Sequence, residues 1–166
     1  DVVRSRGLGD VYKRQIGVTG HLYSKNENRG VYVTKDGGKN WNRTLYINDV
    51  SGIIDMSETP GDFNIMYATS WEKDRKAWNF DEDGHSSGIY KSIDGGANWS
   101  LISNDESGFP TGAGVGRIGI AVFDKDIVYA VVDNQNFRET TEKKLDQGLT
   151  KESFIGMSLE NFNKLS

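Results

Sequence analysis

The chain has 166 residues, carries a formal net charge of −4 and is 36% hydrophobic. That length suits one ordinary domain, the composition lies outside the disordered class, and the acidic balance argues against a nucleic-acid surface, which is normally basic. With no cysteine there is no disulfide framework or thiolate metal site, and no apolar run approaches transmembrane length.

Residues 1–15 read as foreign to the protein. Asp10-Val11-Tyr12-Lys13-Arg14-Gln15 has the character of one reading frame of a sequencing-library adapter, and the stretch before it is basic and without periodicity. The other reading is a genuine basic arm. Under the scar reading, the native sequence is expected to begin further upstream. No signal peptide is legible here.

From Ile16 the chain reads as short strands. Ile16–Gly20 is the first, and Gly30–Thr34 and Trp41–Ile47 flank the next turn. Gly52–Met56 and Asn64–Ser70 form a hairpin broken by Thr59-Pro60-Gly61-Asp62. Gly88–Ser92 and Trp99–Ser103 flank another turn, and Gly116–Val122 and Ile127–Asp133 form the last hairpin. Ile65-Met66-Tyr67-Ala68 aligns with Ile127-Val128-Tyr129-Ala130, so hairpins repeat as well as turns. The predicted unit is four strands, complete once from about Ser51 to Ser103, with half a unit on either side. After Asp133 the chain turns charged. Leu149–Phe154 half-repeats as Met157–Phe162, and Thr150 and Ser158 are N-cap candidates, which predicts two short helices.

Two of the turns carry one phrase, [Ser/Thr]-x-Asp-x-Gly-x-Asn-Trp. It runs from Thr34 to Trp41 and again from Ser92 to Trp99. Asp36 and Asp94 can fold back onto turn amides, with Thr34 and Ser92 doing so more weakly. Gly38 and Gly96 stand where positive φ is needed, and Trp41 and Trp99 are placed as apolar lids. This reads as a structural device. A catalytic aspartate is the sharper alternative, but a carboxylate spent on its own turn is not free to move protons.

The phrase resembles the Asp-box of bacterial-neuraminidase-type repeats. With Val18-Thr19-Gly20-His21-Leu22-Tyr23, Arg29-Gly30-Val31-Tyr32, Ala77-Trp78-Asn79-Phe80, Ser87–Ser92 and Gly116-Arg117-Ile118-Gly119, the stretch from Gly17 to about Asn134 resembles the sortilin-type β-propellers. Bacterial members of that group often carry a glycosyl hydrolase label. The resemblance implies an all-β fold: a partial β-propeller of about two four-stranded blades with Asp-box hairpins, plus a short C-terminal helical insertion at 134–166. The remaining blades of the same chain would be partners. It also implies a secreted, periplasmic or surface location. The Asp-box specifies a blade hairpin and not an activity, since hydrolases, receptors and assembly factors share it.

In such a blade the Asp-boxes mark one face, and the long connections His21–Arg29, Trp71–Ser87, Asn104–Val115 and everything after Asp133 mark the other. Long loops on a rigid scaffold are where binding residues concentrate. Trp71, Arg75, Trp78 and Asn79, with His21, Tyr23 and Arg117, are therefore candidate ligand-binding residues. Their aromatics beside Arg and Asn suit a sugar ring or a peptide, and equally suit packing against a neighbouring blade. Both histidines have a plain reading as hydrogen-bonded loop residues. Asn79-x-Asp81-x-Asp83-Gly84 matches half of a calcium loop, but Tyr90 stands where the closing Glu is needed, so a solvated acidic turn is favoured. Gly112–Gly116 precedes a strand and not a helix, so it is no phosphate loop.

The expected function is binding of a protein, peptide or carbohydrate ligand, with no cofactor, no metal, no nucleic acid and no membrane span. The alternative is a xyloglucanase-type glycoside hydrolase. Asp49, Asp55, Asp81, Glu82 and Asp83 are available acids, but none stands in a recognisable catalytic pair.

Overall fold

The computed structural model describes residues 12–136 and 158–163. The chain divides into two compact units, residues 1–136 and 137–166. The first unit is all-β. Strands β1 (Arg14–Val18), β2 (Gly30–Thr34) and β3 (Asn42–Leu45) form a three-stranded antiparallel sheet in chain order. Strands β4 (Ser51–Thr59), β5 (Asp62–Glu72), β8 (Gly88–Ser92) and β9 (Ser100–Leu101) form a four-stranded meander. Between β5 and β8, a small hairpin pairs β6 (Asp74–Arg75) with β7 (Phe80–Asp81). A 3-10 turn at Asp105–Ser107 leads to the last sheet, β10 (Val115–Val122) and β11 (Val128–Asn134).

The four-strand unit expected over Ser51–Ser103 is present as one sheet. The β6–β7 hairpin was not foreseen, because two-residue strands carry no alternation to read. Strand β1 starts at Arg14, ahead of the expected Ile16, so residues set aside as foreign in the sequence form its beginning. Gln15 is buried there, and its amide donates to Gly95 O at 3.1 Å.

Register makes the repeat explicit. Arg14 pairs with Thr34 as Met66 pairs with Ser92, so β1 and β5 hold the same position in successive sheets. The backbone agrees: Gly37 N donates to Tyr12 O at 3.0 Å, and Gly95 N to Asn64 O at 2.8 Å. The first strands of the second and third sheets each contain a bulge, at Ile53/Asp55 in β4 and at Val115/Ile118 in β10. A bulge bends a strand and raises its twist.

The core lies between the sheets. Val31, Leu45, Ile53 and Ala68 form one cluster, joined by Ile47, Met56, Tyr90 and Trp99. Tyr67, Ile89, Val115 and Ile118 form the next. The pleat sends Ala68 to one neighbour and Tyr67 and Thr69 to the other, and Thr69 Oγ1 donates to Ile118 O at 2.9 Å. Each buried Val or Ile contributes roughly 1.5–3 kcal/mol. Asp55 clamps the third sheet: its Oδ2 accepts Ile120 N at 3.1 Å, while Oδ1 accepts Met56 N at 2.9 Å. The strand glycines allow close approach. A Cβ on Gly52 would lie 2.5–2.8 Å from Thr19 backbone atoms.

In the second unit, α1 (Leu159–Phe162) is one helical turn. Ser158 caps it as expected, its Oγ accepting Asn161 N at 3.3 Å. The other expected helix, at Thr150–Phe154, lies outside the described residues. Among the described residues no helix is long and apolar enough to cross a membrane.

Gly52→Ala must push backbone against backbone and is expected to cost about 1–3 kcal/mol. Gly119→Ala, whose Cβ would meet nothing nearer than 4.0 Å, is expected to be neutral. Urea unfolding midpoints of the two variants check this contrast.

Candidate functional site

The two turns that carry the repeated phrase have matching geometry. Thr34 Oγ1 donates to Asp36 Oδ1 at 2.7 Å and accepts Gly38 N at 2.9 Å. Asp36 also accepts Asn40 N at 2.9 Å and the Asn40 side chain at 2.6 Å. In the second turn Ser92, Asp94, Gly96 and Asn98 repeat those bonds at 2.8, 2.9, 2.9 and 2.6 Å. Trp41 and Trp99 each donate Nε1 to the glycine carbonyl three residues back, at 3.1 Å. Trp99 is the more buried and also reaches Thr44 of the preceding sheet at 3.2 Å.

These bonds stabilise the ionised carboxylates. Asn40 backbone and side chain, then Thr34, pull Asp36 down to about 2, and the same groups around Asp94 hold it lower still. Both are fully ionised anchors at neutral pH and poor proton carriers.

The ligand-binding candidates gather elsewhere. A cavity of about 800 Å³ opens beside β4 and β10. His21 and Tyr23 line it from the loop after β1, Lys73 from the end of β5, Arg117 from β10, and Asp55 from β4. By register His21 and Lys73 occupy equivalent positions after the second strand of their repeats. Thus three sequence candidates, His21, Tyr23 and Arg117, meet in one cavity. Arg75 does not line the cavity but approaches Tyr23, its guanidinium carbon 5.8 Å from that ring and 5.0 Å from Phe80.

Trp71 is committed to packing. It meets Phe80 edge-on at 6.0 Å and donates to Glu82 O at 2.6 Å. Lys73 Nζ and the Arg117 guanidinium carbon lie 5.1 and 5.8 Å from its ring centre. Trp78, 85% exposed, and Asn79 sit in the β6–β7 turn, closed by Lys76 N to Asn79 O at 2.7 Å, and do not line the cavity. In the half calcium loop, the Asn79 amide donates to Asp81 at 3.0 Å, and Asp83 Oδ2 accepts Gly114 N at 2.7 Å. Among the described residues no group of three or more acids or histidines is arranged to hold a metal ion.

Sequence reasoning missed two cations. Arg29 is 2% exposed and acts as a staple. Its guanidinium donates to Asp49 O at 2.9 Å, His21 O at 2.9 Å, Ser24 O at 3.2 Å and Thr19 O. Burial lowers its pKa and nearby Asp49 opposes that shift. Gly20 makes room for it: φ is +73°, and a Cβ there would meet the Arg29 side chain at 2.6 Å. Lys73 is also buried, and its pKa is lowered by desolvation first and then by Arg29, Arg75 and Arg117. The one signal for Lys73 was its alignment with His21, visible only once the register was known.

Comparison with family models, curated proteins and solved structures returns no match. The functional reading therefore rests on the residues themselves.

Two expectations follow. Hydrogen bonds to a charged group are worth about 1.5–3 kcal/mol each and overlap, so Arg29→Ala should cost about 3–5 kcal/mol in denaturant unfolding. Its proteolysis should begin in the 19–24 loop. For Asp36 and Asp94, the folded pKa lies below the unfolded value of about 3.9. Their stabilisation is complete above that pH and drains away as pH falls towards about 2. Paired Asp36→Asn and Asp94→Asn changes should lower stability at pH 7 and flatten the pH 4-to-2 limb (about that range). Equal slopes in the two proteins would contradict this account.

Proposed function

We propose that the chain is a portion of a sortilin-type β-propeller whose long-loop face binds a glycan or peptide ligand outside the cytoplasm. The carrying observation is the cavity, where connections from two successive repeats and the first strand of a third converge around His21, Tyr23, Lys73 and Arg117. Rigid sheets beneath convergent loops are the usual setting of a binding site. The resemblance in the Asp-box phrase supports the extracytoplasmic placement.

Unfinished packing supports the propeller reading. Tyr129 and Val131 of β11 hold the positions that Tyr67 and Thr69 hold in β5. Tyr67 and Thr69 are 3% and 0% exposed beneath the next sheet, whereas Tyr129 and Val131 are 65% and 78% exposed. An apolar face repeated at the same register calls for another blade. Four or more blades close such a ring.

Binding is favoured over glycoside hydrolysis by the chemistry of the lining. Hydrolysis requires two carboxyl groups facing the sugar. Asp55, the acidic residue lining the cavity, has each oxygen engaged by a backbone amide.

Calorimetric titration with matched oligosaccharide and peptide panels tests the reading. Tyr23→Ala is expected to weaken binding of the recognised ligand by about tenfold, the loss of roughly one stacking contact. Trp78→Ala, on the hairpin tied to Tyr23 through Arg75, should weaken it less and leave stability within about 0.5 kcal/mol. Turnover of any glycan by the unmodified chain would replace binding with hydrolysis.

A further inference from the structure

Lys73 is an anomaly in energetic terms. It is 8% exposed and lines the cavity. Among the described residues its Nζ has no hydrogen-bond acceptor and no carboxylate within 4.0 Å. Its neighbours are the Trp71 ring and the cations Arg29, Arg75 and Arg117. A buried, unpaired ammonium is costly, and three like charges raise the cost. Arg117 lines the same cavity, lies against the same indole, and has no carboxylate partner among the described residues. Asp55 brings one negative charge to the lining but turns its oxygens to Met56 N and Ile120 N, and Asp49 pairs with Lys25 at 3.7 Å. The lining thus carries two cations against one acid, in a chain of net charge −4. Water cannot neutralise such a hollow, but an anion can.

We propose that the cavity takes a ligand bearing an oxyanion (a carboxylate, sulfate ester or phosphate ester) and seats that group between Lys73 and Arg117. This rests on the ligand-binding reading of the long-loop face and narrows its ligand class. Arg117 supplies a planar fork suited to two oxygens, and Lys73 a point charge from the buried side. Tyr23 and His21 stand on the rim to contact whatever carries the anion. The device trades stability of the empty protein for affinity, as sites with uncompensated charge do.

The test uses one sugar ring with different substituents. Glucose, glucuronate, glucose 6-sulfate and glucose 6-phosphate are titrated into the full chain, with inorganic sulfate and phosphate as ring-free anions. The charged sugars are expected to bind at least about tenfold tighter than glucose, the contribution of one charge-assisted hydrogen bond, and to weaken as salt rises. The order among the three identifies the oxyanion. Lys73→Met keeps the stem's volume and removes the charge. It is expected to abolish the preference for charged sugars and to raise the unfolding midpoint of the ligand-free protein. Arg117→Gln should reduce the preference severalfold. If glucose and glucuronate bind equally, the oxyanion proposal falls and the ligand-binding face survives. If Lys73→Met destabilises the empty protein, Lys73 is a structural residue and the proposal falls. If acidic peptides bind and no charged sugar does, the oxyanion seat stands on a peptide carrier. If no probe of either panel binds, both readings fall.

Discussion

Strand β5 buries side chains on both of its faces, and most of the architecture follows from that constraint. A strand covered on one side can end a structure, but a strand covered on two must sit between neighbours. Ala68 packs back onto Val31, Leu45 and Ile53, while Tyr67 and Thr69 pack forward onto Val115 and Ile118. The strand's alternation therefore fixes a stack of sheets. The polar contacts between sheets are few and specific: Thr69 to Ile118 O, Asp55 to Ile120 N, Gln15 to Gly95 O and Trp99 to Thr44. Each satisfies a group that the apolar contact would otherwise strand without a partner. Gly52 matters for the same reason, since any side chain there would hold two sheets apart.

The two repeated turns and the cavity use their charges in opposite ways. Each turn engages its own charge, with carboxylate, hydroxyl and amide groups closing on each other within eight residues. The cavity does the reverse. Among the described residues it leaves Lys73 and Arg117 without a carboxylate partner and places an aromatic face beside them. The turns at one end of the strands thus keep their charge to themselves, and the cavity at the other end gathers cations beside aromatic rings.

What the sequence made legible tracks how local the cause was. The phrase from Thr34 to Trp41 predicts its own hydrogen bonds because every partner lies within the turn. The four-strand order from Ser51 to Leu101 was readable from hairpins and alternation. His21, Tyr23 and Arg117 were found because long loops and their flanks are natural places to look. Lys73 escaped because a lysine at a strand end looks like any solvated charge until the next sheet covers it. Arg29 escaped because its partners are backbone carbonyls, which leave no trace in side-chain identity. Trp71 and Trp78 looked alike in sequence, and the β6–β7 turn separated them by folding one under and leaving the other at its tip.

The staple made by Arg29 has an evolutionary consequence. It grips the loop after β1 by the carbonyls of Thr19, His21 and Ser24, and takes nothing from their side chains. The loop's path is thus held chiefly through its backbone, with one side-chain bond inside it, between His21 Nδ1 and Ser24 Oγ at 3.1 Å. Substitution at positions 22 and 23 leaves those backbone grips in place, so the shape of the loop can outlast a change in what it displays.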